Sequence, residues 1–168
     1  REGQLERAHR IRAEYWAKVQ EEELPTVTIQ LPIYNERYVA GRLIHAAARV
    51  DYPTHLLEIQ VLDDSTDDTV EVVKEHVDHY RKLGIRIVHL RRKHREGYKA
   101  GALRDGVAAT DSEFLAVFDA DFVPEPDFLR KTVPFFDDPK VGMVQARWGH
   151  ANEKFSWLTR VQAIALDG

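Results

Sequence analysis

The chain has 168 residues, 24 of them Lys or Arg and 28 Asp or Glu, which gives a formal charge of −4 and a pI near 6.1. With 43% hydrophobic and 31% charged residues it has the make-up of a folded globular protein, and its mild acidity argues against a nucleic-acid binder that works by bulk positive charge. The absence of cysteine excludes disulfides and thiolate zinc sites, and no run of about 18 apolar residues is present to span a bilayer.

Residues 1–23 are dense in Arg, Glu and Gln, with Leu5, Ala8, Ile11 and Tyr15 at helical spacing, which predicts a mostly exposed helix ending near Leu24 and Pro25. Strand-like and helix-like segments then alternate. Residues 26–31 have the β-branched enrichment of a strand that Pro32 stops, and Val39, Leu43, Ala46 and Val50 mark one face of a helix. A second strand over 58–62 runs into Asp63, Asp64, Ser65, Thr66, Asp67 and Asp68, where Ser65 and Asp68 have capping-box spacing before a helix with Val70, Val73, Val77 and Tyr80 on its buried face. Gly84 is a left-handed stop after Leu83. Further strands are predicted over 85–90, 114–118 and 141–145, and further helices over 99–109 and 126–135.

Strands joined by helical crossovers imply an α/β fold with a parallel sheet covered on both faces. The expected division is a charged helical segment over 1–24 and one α/β domain over 25–168. The start without Met and the end at Ala165, Leu166, Asp167 and Gly168 read as a piece of a longer protein.

Ligands of such sheets bind at the carboxyl ends of the strands. Phe114, Leu115, Ala116, Val117 and Phe118 form an apolar strand that runs into Asp119 and Asp121, whose i, i+2 spacing points both carboxylates the same way on an extended backbone. Two hard oxygen ligands at an open strand end suit Mg²⁺ or Mn²⁺; the alternative is a turn cap before Pro124 and Pro126. Asp63 and Asp64 are a second strand-end pair. A carboxylate there could accept the ring N–H of uracil or guanine, although Asp is also favoured at helix N-termini. Tyr34, in the run Pro32, Ile33, Tyr34, Asn35 and Glu36, offers a face for base stacking, with Glu36 beside it. Lys99, between Gly97 and Gly101 at a helix start, is placed to approach a phosphate. The basic run over residues 91–95 reads as a solvated loop, and the histidines as surface residues.

These runs, together with Val144, Gln145, Ala146, Arg147 and Trp148, fall in an order that resembles the inverting family 2 glycosyltransferases, most closely their cellulose-synthase-like and mannan-synthase-like branch. The resemblance implies a GT-A fold, a Rossmann-like three-layer sandwich with a mainly parallel sheet, incomplete at the C-terminus. It implies a nucleotide-sugar donor, UDP- or GDP-hexose, whose base meets Asp64 with Asp63 and whose nucleoside pocket is lined by Tyr34 and Glu36. Lys99 would lie near the nucleotide, and Asp119 and Asp121 would hold Mg²⁺ or Mn²⁺ on the diphosphate. Asp64, Asp119 and Asp121 then form the catalytic set for inverting transfer to a glycan acceptor, making a glucan- or mannan-type β-glycan.

Members of that family also carry a general base, a glycan-binding segment and membrane helices downstream. Donor binding without polymer turnover is therefore expected of these 168 residues, and the longer protein is expected at the cytoplasmic face of a membrane, with no nucleic-acid partner. Two rival readings stand beside this one. Asp119, Asp121 and Val123 also fit the haloacid-dehalogenase-like phosphatase pattern, whose first Asp is a nucleophile but which that family places on its first strand. The other rival is a non-catalytic sugar-nucleotide-binding module.

Overall fold

The computed structural model describes residues 2–146. In chain order the elements are α1 (Glu2–Lys18), β1 (Val27–Ile33), α2 (Arg37–Ala47), β2 (Leu57–Asp63), α3 (Thr69–Lys82), β3 (Ile87–Arg91), α4 (Tyr98–Val107), β4 (Phe114–Val117) and α5 (Phe128–Thr132). Short 3₁₀ turns occupy Glu21–Glu23 and Val133–Asp137. The sheet has the order β3-β2-β1-β4 and every neighbouring pair is parallel. The α/β class and the parallel sheet are as the sequence predicts.

β1 and β2 are buried on both faces, which is why they read as nearly continuous apolar runs. Their odd-numbered residues Ile29, Leu31, Ile59 and Val61 join Leu43 and Ile44 of α2 and Val73 and Val77 of α3 in the core. The even-numbered Gln30 and Gln60 turn towards α4. There Gln30 Nε2 donates to Gln60 Oε1 at 3.0 Å beside Gly106, where a Cβ would come within 2.6 Å of Gln30 Nε2. The buried amides are tolerated because Gln60 Nε2 in turn donates to Glu58 Oε1 at 3.1 Å, and Gly106 lets α4 lie close enough to cover them. α1 is pinned to α5 by Arg12 Nε and Trp16 Nε1, which donate to the carbonyls of Lys131 at 3.1 Å and Arg130 at 3.0 Å.

Several local expectations are corrected. β1 continues through Pro32 to Ile33. The Gln30 carbonyl accepts from Phe118 N on the β4 side, so by the period of two the donor that Pro32 lacks would also face that side, beyond the last β1–β4 partners Gln30 and Val117. The buried face of α2 is Ala40, Leu43, Ile44 and Ala47; of the predicted stripe Leu43 and, past the helix, Val50 are buried while Val39 and Ala46 are only partly so, and on α3 Thr69 replaces Val70. The capping box does not form: α3 starts after Asp68, and Ser65 is engaged in tying two loops together. Gly84 does take the left-handed conformation, at φ +87°.

The strand expected over 141–145 is not formed. Among the described residues that stretch pairs with no strand, because apolar content alone supplies no ladder. Arg147 and Trp148 lie outside the described residues. No helix of the described residues is long and apolar enough to cross a membrane.

Leu43 is fully buried between α2 and the sheet. Leu43→Ala should lower stability by about 3 kcal/mol, read as an earlier urea midpoint with an unchanged slope; a loss below about 1 kcal/mol would contradict this packing.

Candidate functional site

The carboxyl ends of β1, β2, β3 and β4 release four loops at one edge of the sheet, and three of them are stitched together by side chains. After β1, Asn35 adopts a left-handed φ of 54°, which Asn tolerates better than most residues. Its N–H donates to Ser65 Oγ at 2.9 Å, and its Oδ1 accepts from Thr66 N at 2.8 Å. The loop after β1 is thereby fixed against the loop after β2, with Tyr34 39% exposed at the rim.

The two acids at the end of β2 part company, as successive residues of a strand must. Asp63 turns inward and its side chain has no exposed surface. Its Oδ1 accepts from Ser65 N at 2.9 Å and its Oδ2 from His89 Nε2 at 2.7 Å. Burial pushes its carboxyl up, but the hydrogen bonds from His89 and Ser65 outweigh this and hold it below the usual range. Asp63, expected to meet the base alongside Asp64, has both oxygens engaged beneath the loop and no exposed surface.

Asp64 turns the other way, towards Arg92. Arg92 Nε donates to Asp64 Oδ1 at 3.0 Å and Arg92 Nη2 to Oδ2 at 2.5 Å, a bidentate pair whose side chains are only 14% and 6% exposed. The same guanidinium donates to the carbonyls of Glu96 and Tyr98, each at 2.9 Å, and to Asp105 at 3.4 Å. It therefore organises the whole β3–α4 loop. Gly97 and Tyr98 are both left-handed, at φ 69° and 50°, and the turn they make presents the Tyr98 carbonyl to Arg92. Gly101 is required one turn into α4, since a Cβ there would sit 2.0 Å from the Glu96 carbonyl oxygen.

Arg95, from the same loop, lies over Tyr34 with its guanidinium carbon 3.4 Å from the ring centroid. It is 5.0 Å from the centroid of Tyr98, and its Nε is 3.8 Å from Asp64 Oδ2. The solvated-loop reading of residues 91–95 is corrected accordingly. Arg91 Nη2 donates to the Ser65 carbonyl at 2.7 Å, and Arg92 and Arg95 face Asp64. Arg92 and Arg95 are the site residues that sequence reasoning missed. The signal was available in the basic run directly following a strand that neighbours the two acids, where Asp63 and Arg91 are register partners.

At the end of β4, Phe122 N donates to the Asp119 carbonyl at 2.9 Å, closing a turn that carries Asp119 and Asp121. Phe118 stacks on Phe122 and meets Phe128 edge-on, anchoring that turn to the core. Lys99 is hydrogen-bonded to Asp119. Glu36 lies close enough to feel both acids: desolvation first, then the charges of Asp121 and Asp119, push its carboxyl above the usual range, against a backbone hydrogen bond at Tyr34 and the charge of Lys99. Among the described residues no three side chains form a complete metal cage. Asp119 and Asp121 share one turn, Glu36 is near enough to feel both charges, and carboxylates are the donor type that a divalent cation takes alongside water and phosphate.

The geometry thus joins Tyr34, Glu36, Asp64, Lys99, Asp119 and the turn of Asp121 around one edge. The sequence model of glycosyl transferase family 2 matches residues 28–166. The chain belongs to glycosyl transferase family 2. It is 44% identical over 147 residues to glucomannan 4-beta-mannosyltransferase 7 of Arabidopsis thaliana, covering 84% of this chain and 26% of that protein. It is 44% identical over 148 residues to probable glucomannan 4-beta-mannosyltransferase 9 of Oryza sativa subsp. japonica, covering 85% and 28%. The chain therefore spans about a quarter of the length of these curated relatives.

Among solved structures it is similar to the mannosyltransferase PcManGT from Pyrobaculum calidifontis, which is in complex with GDP-Man and Mn²⁺. The TM-score is 0.65 at 28% identity, over 82% of this chain and 41% of that one. S. aureus TarS 1–349 in complex with UDP shares the fold, with a TM-score of 0.59 at 18% identity over 74% of this chain and 39% of that one. The fold is that of the GT-A glycosyltransferases. The phosphatase reading finds no support in this family 2 chain, whose aspartate turn follows the fourth strand, not the first.

Asp63 gives a pH prediction. Its carboxyl is held below its unfolded value, so its contribution to stability is complete above about pH 4 and is lost as pH falls through the lower folded value. Asp63→Ala should lower stability at pH 7 by about 3 kcal/mol, with the gap to the unsubstituted chain closing below about pH 4 in urea unfolding. A gap unchanged down to about pH 2 would contradict the role given to Asp63.

Proposed function

We propose that the chain is the donor-binding part of a metal-dependent inverting hexosyltransferase that takes a nucleotide-activated hexose, GDP- or UDP-linked, for β-glycan synthesis. The observation that carries this reading is the meeting of an aromatic face, a carboxylate for the base and a separate carboxylate turn along one strand-end edge of a family 2 chain. On this reading Asp64 accepts the ring N–H that guanine and uracil share, and Arg92 holds that carboxylate in place through two hydrogen bonds. Tyr34 supplies the stacking face, and Glu36 lines the pocket beside it.

Asp119 and Asp121 would hold a divalent cation. When bound, that ion supplies positive charge opposite the donor diphosphate, stabilising the leaving group. Lys99, poised on Asp119, supplies a second positive charge to the same phosphates. Transfer proceeds by attack of an acceptor hydroxyl on the anomeric carbon with inversion, the nucleoside diphosphate leaving. Residues 25–168 are the start of the catalytic domain, preceded by the charged helical segment over 1–24. The longer protein, on this reading, supplies the general base and acceptor site and works at the cytoplasmic face of a membrane.

Calorimetry with GDP and UDP, with and without Mn²⁺, tests the proposal. One nucleotide should bind, and Mn²⁺ should tighten it by about tenfold or more. Asp119→Asn or Asp121→Asn should remove the Mn²⁺-dependent part, whereas Asp64→Asn should weaken binding with or without metal. Absence of Mn²⁺-dependent binding of either nucleotide to the folded chain would overturn the reading.

A further inference from the structure

The base slot just described already has an occupant from the chain itself. The Arg95 guanidinium, a flat cation, lies 3.4 Å from the centroid of the Tyr34 ring, the face on which a base would stack, with the Tyr98 ring 5.0 Å away. The same group stands 3.8 Å from Asp64 Oδ2 and helps to leave that carboxylate only 6% exposed. A single side chain thus covers the stacking surface and stands beside the acceptor that a nucleobase would need, whose oxygens Arg92 also holds. We propose that Arg95 is a displaceable plug of the base slot, which a nucleotide must evict in order to bind.

Arg92 and Arg95 differ in how they are held. Arg92 makes five hydrogen bonds, two to Asp64 and one each to Glu96, Tyr98 and Asp105. The Arg95 guanidinium is held, among the described residues, by the ring contacts and the longer ion pair alone. Ring contacts of a partly exposed cation are weak enough to exchange. The incoming base would take over the Tyr34 face from the guanidinium and set a hydrogen-bonding N–H at Asp64 where Arg95 makes only an ion pair at 3.8 Å. The Arg95 side chain can swing out without disturbing the backbone turn in which its carbonyl accepts from Tyr98 N at 3.2 Å. A permanent platform, with the base stacked on top of Arg95, is disfavoured because it would set the base one layer further from Tyr34 while the guanidinium stayed 3.8 Å from Asp64 Oδ2.

The inference rests on the donor-binding reading, and kinetics separate the two. Arg95→Ala and Arg95→Gln are compared with the unsubstituted chain using GDP and UDP in the presence of Mn²⁺, by calorimetry and stopped-flow association, with a thermal melt as the check of folding. For the nucleotide that binds the unsubstituted chain, Arg95→Ala should lower Kd by about fivefold, and the gain should lie in a faster association rate. Arg95→Gln should move in the same direction by less. Weaker binding through faster dissociation in both variants would make Arg95 a contact to the nucleotide and overturn the plug, as would unchanged rates. If neither nucleotide binds any of the three proteins, the donor reading itself fails and the plug falls with it.

Discussion

Two parallel bonds from Arg92 to Asp64 hold the site together. They join the end of β2 to the loop after β3, and the remaining donors of the same guanidinium fix the Glu96 and Tyr98 carbonyls at the start of α4. Taking two charges nearly out of water is worthwhile only when the geometry is good and the other donors are satisfied, and Arg92 meets both conditions. Remove either partner and the other is stranded in a site with little solvent. The positions of Tyr98 and Lys99, and through Lys99 the contact to Asp119, depend on this one pair.

Adjacent identical residues do different work because a strand alternates its faces. Asp63 is carried into the interior, where His89 and Ser65 satisfy it and it sets the shape of the turn that follows. Asp64 is carried to the opposite face, where it meets Arg92. A shift of register by one residue would exchange the two roles, burying the acid that faces Arg92 and turning the positioning acid towards the cleft. The continuous β1–β2 pairing from Val27 and Leu57 to Ile33 and Asp63 is what prevents that slip.

Five helices, four of the five expected strands and the ligand edge were legible in the sequence because they follow from periodicity and from the strand-end rule, which need no tertiary information. Asp64, Asp119, Tyr34 and Lys99 stand out as candidates by that rule and by position at a helix start, and the structure places them at the strand-end edge. What escaped depended on contacts between segments distant in sequence. Arg92 and Arg95 looked like a solvated basic run because their partners, Asp64 and Tyr34, lie 28 and 61 residues earlier in the chain. Ser65 had the spacing of a cap but is claimed by Asn35 from another loop. Pro32 looked like a strand terminator because its harmlessness depends on where β4 ends.

The central claim is that Asp64 and Arg92 act as one unit. A double-mutant cycle of Asp64→Ala and Arg92→Ala, read by equilibrium urea unfolding at neutral pH, tests it most directly. The account predicts a coupling of about 2 kcal/mol, with the double variant clearly less destabilised than the sum of the single ones. Additive losses, with coupling below about 0.5 kcal/mol, would contradict it.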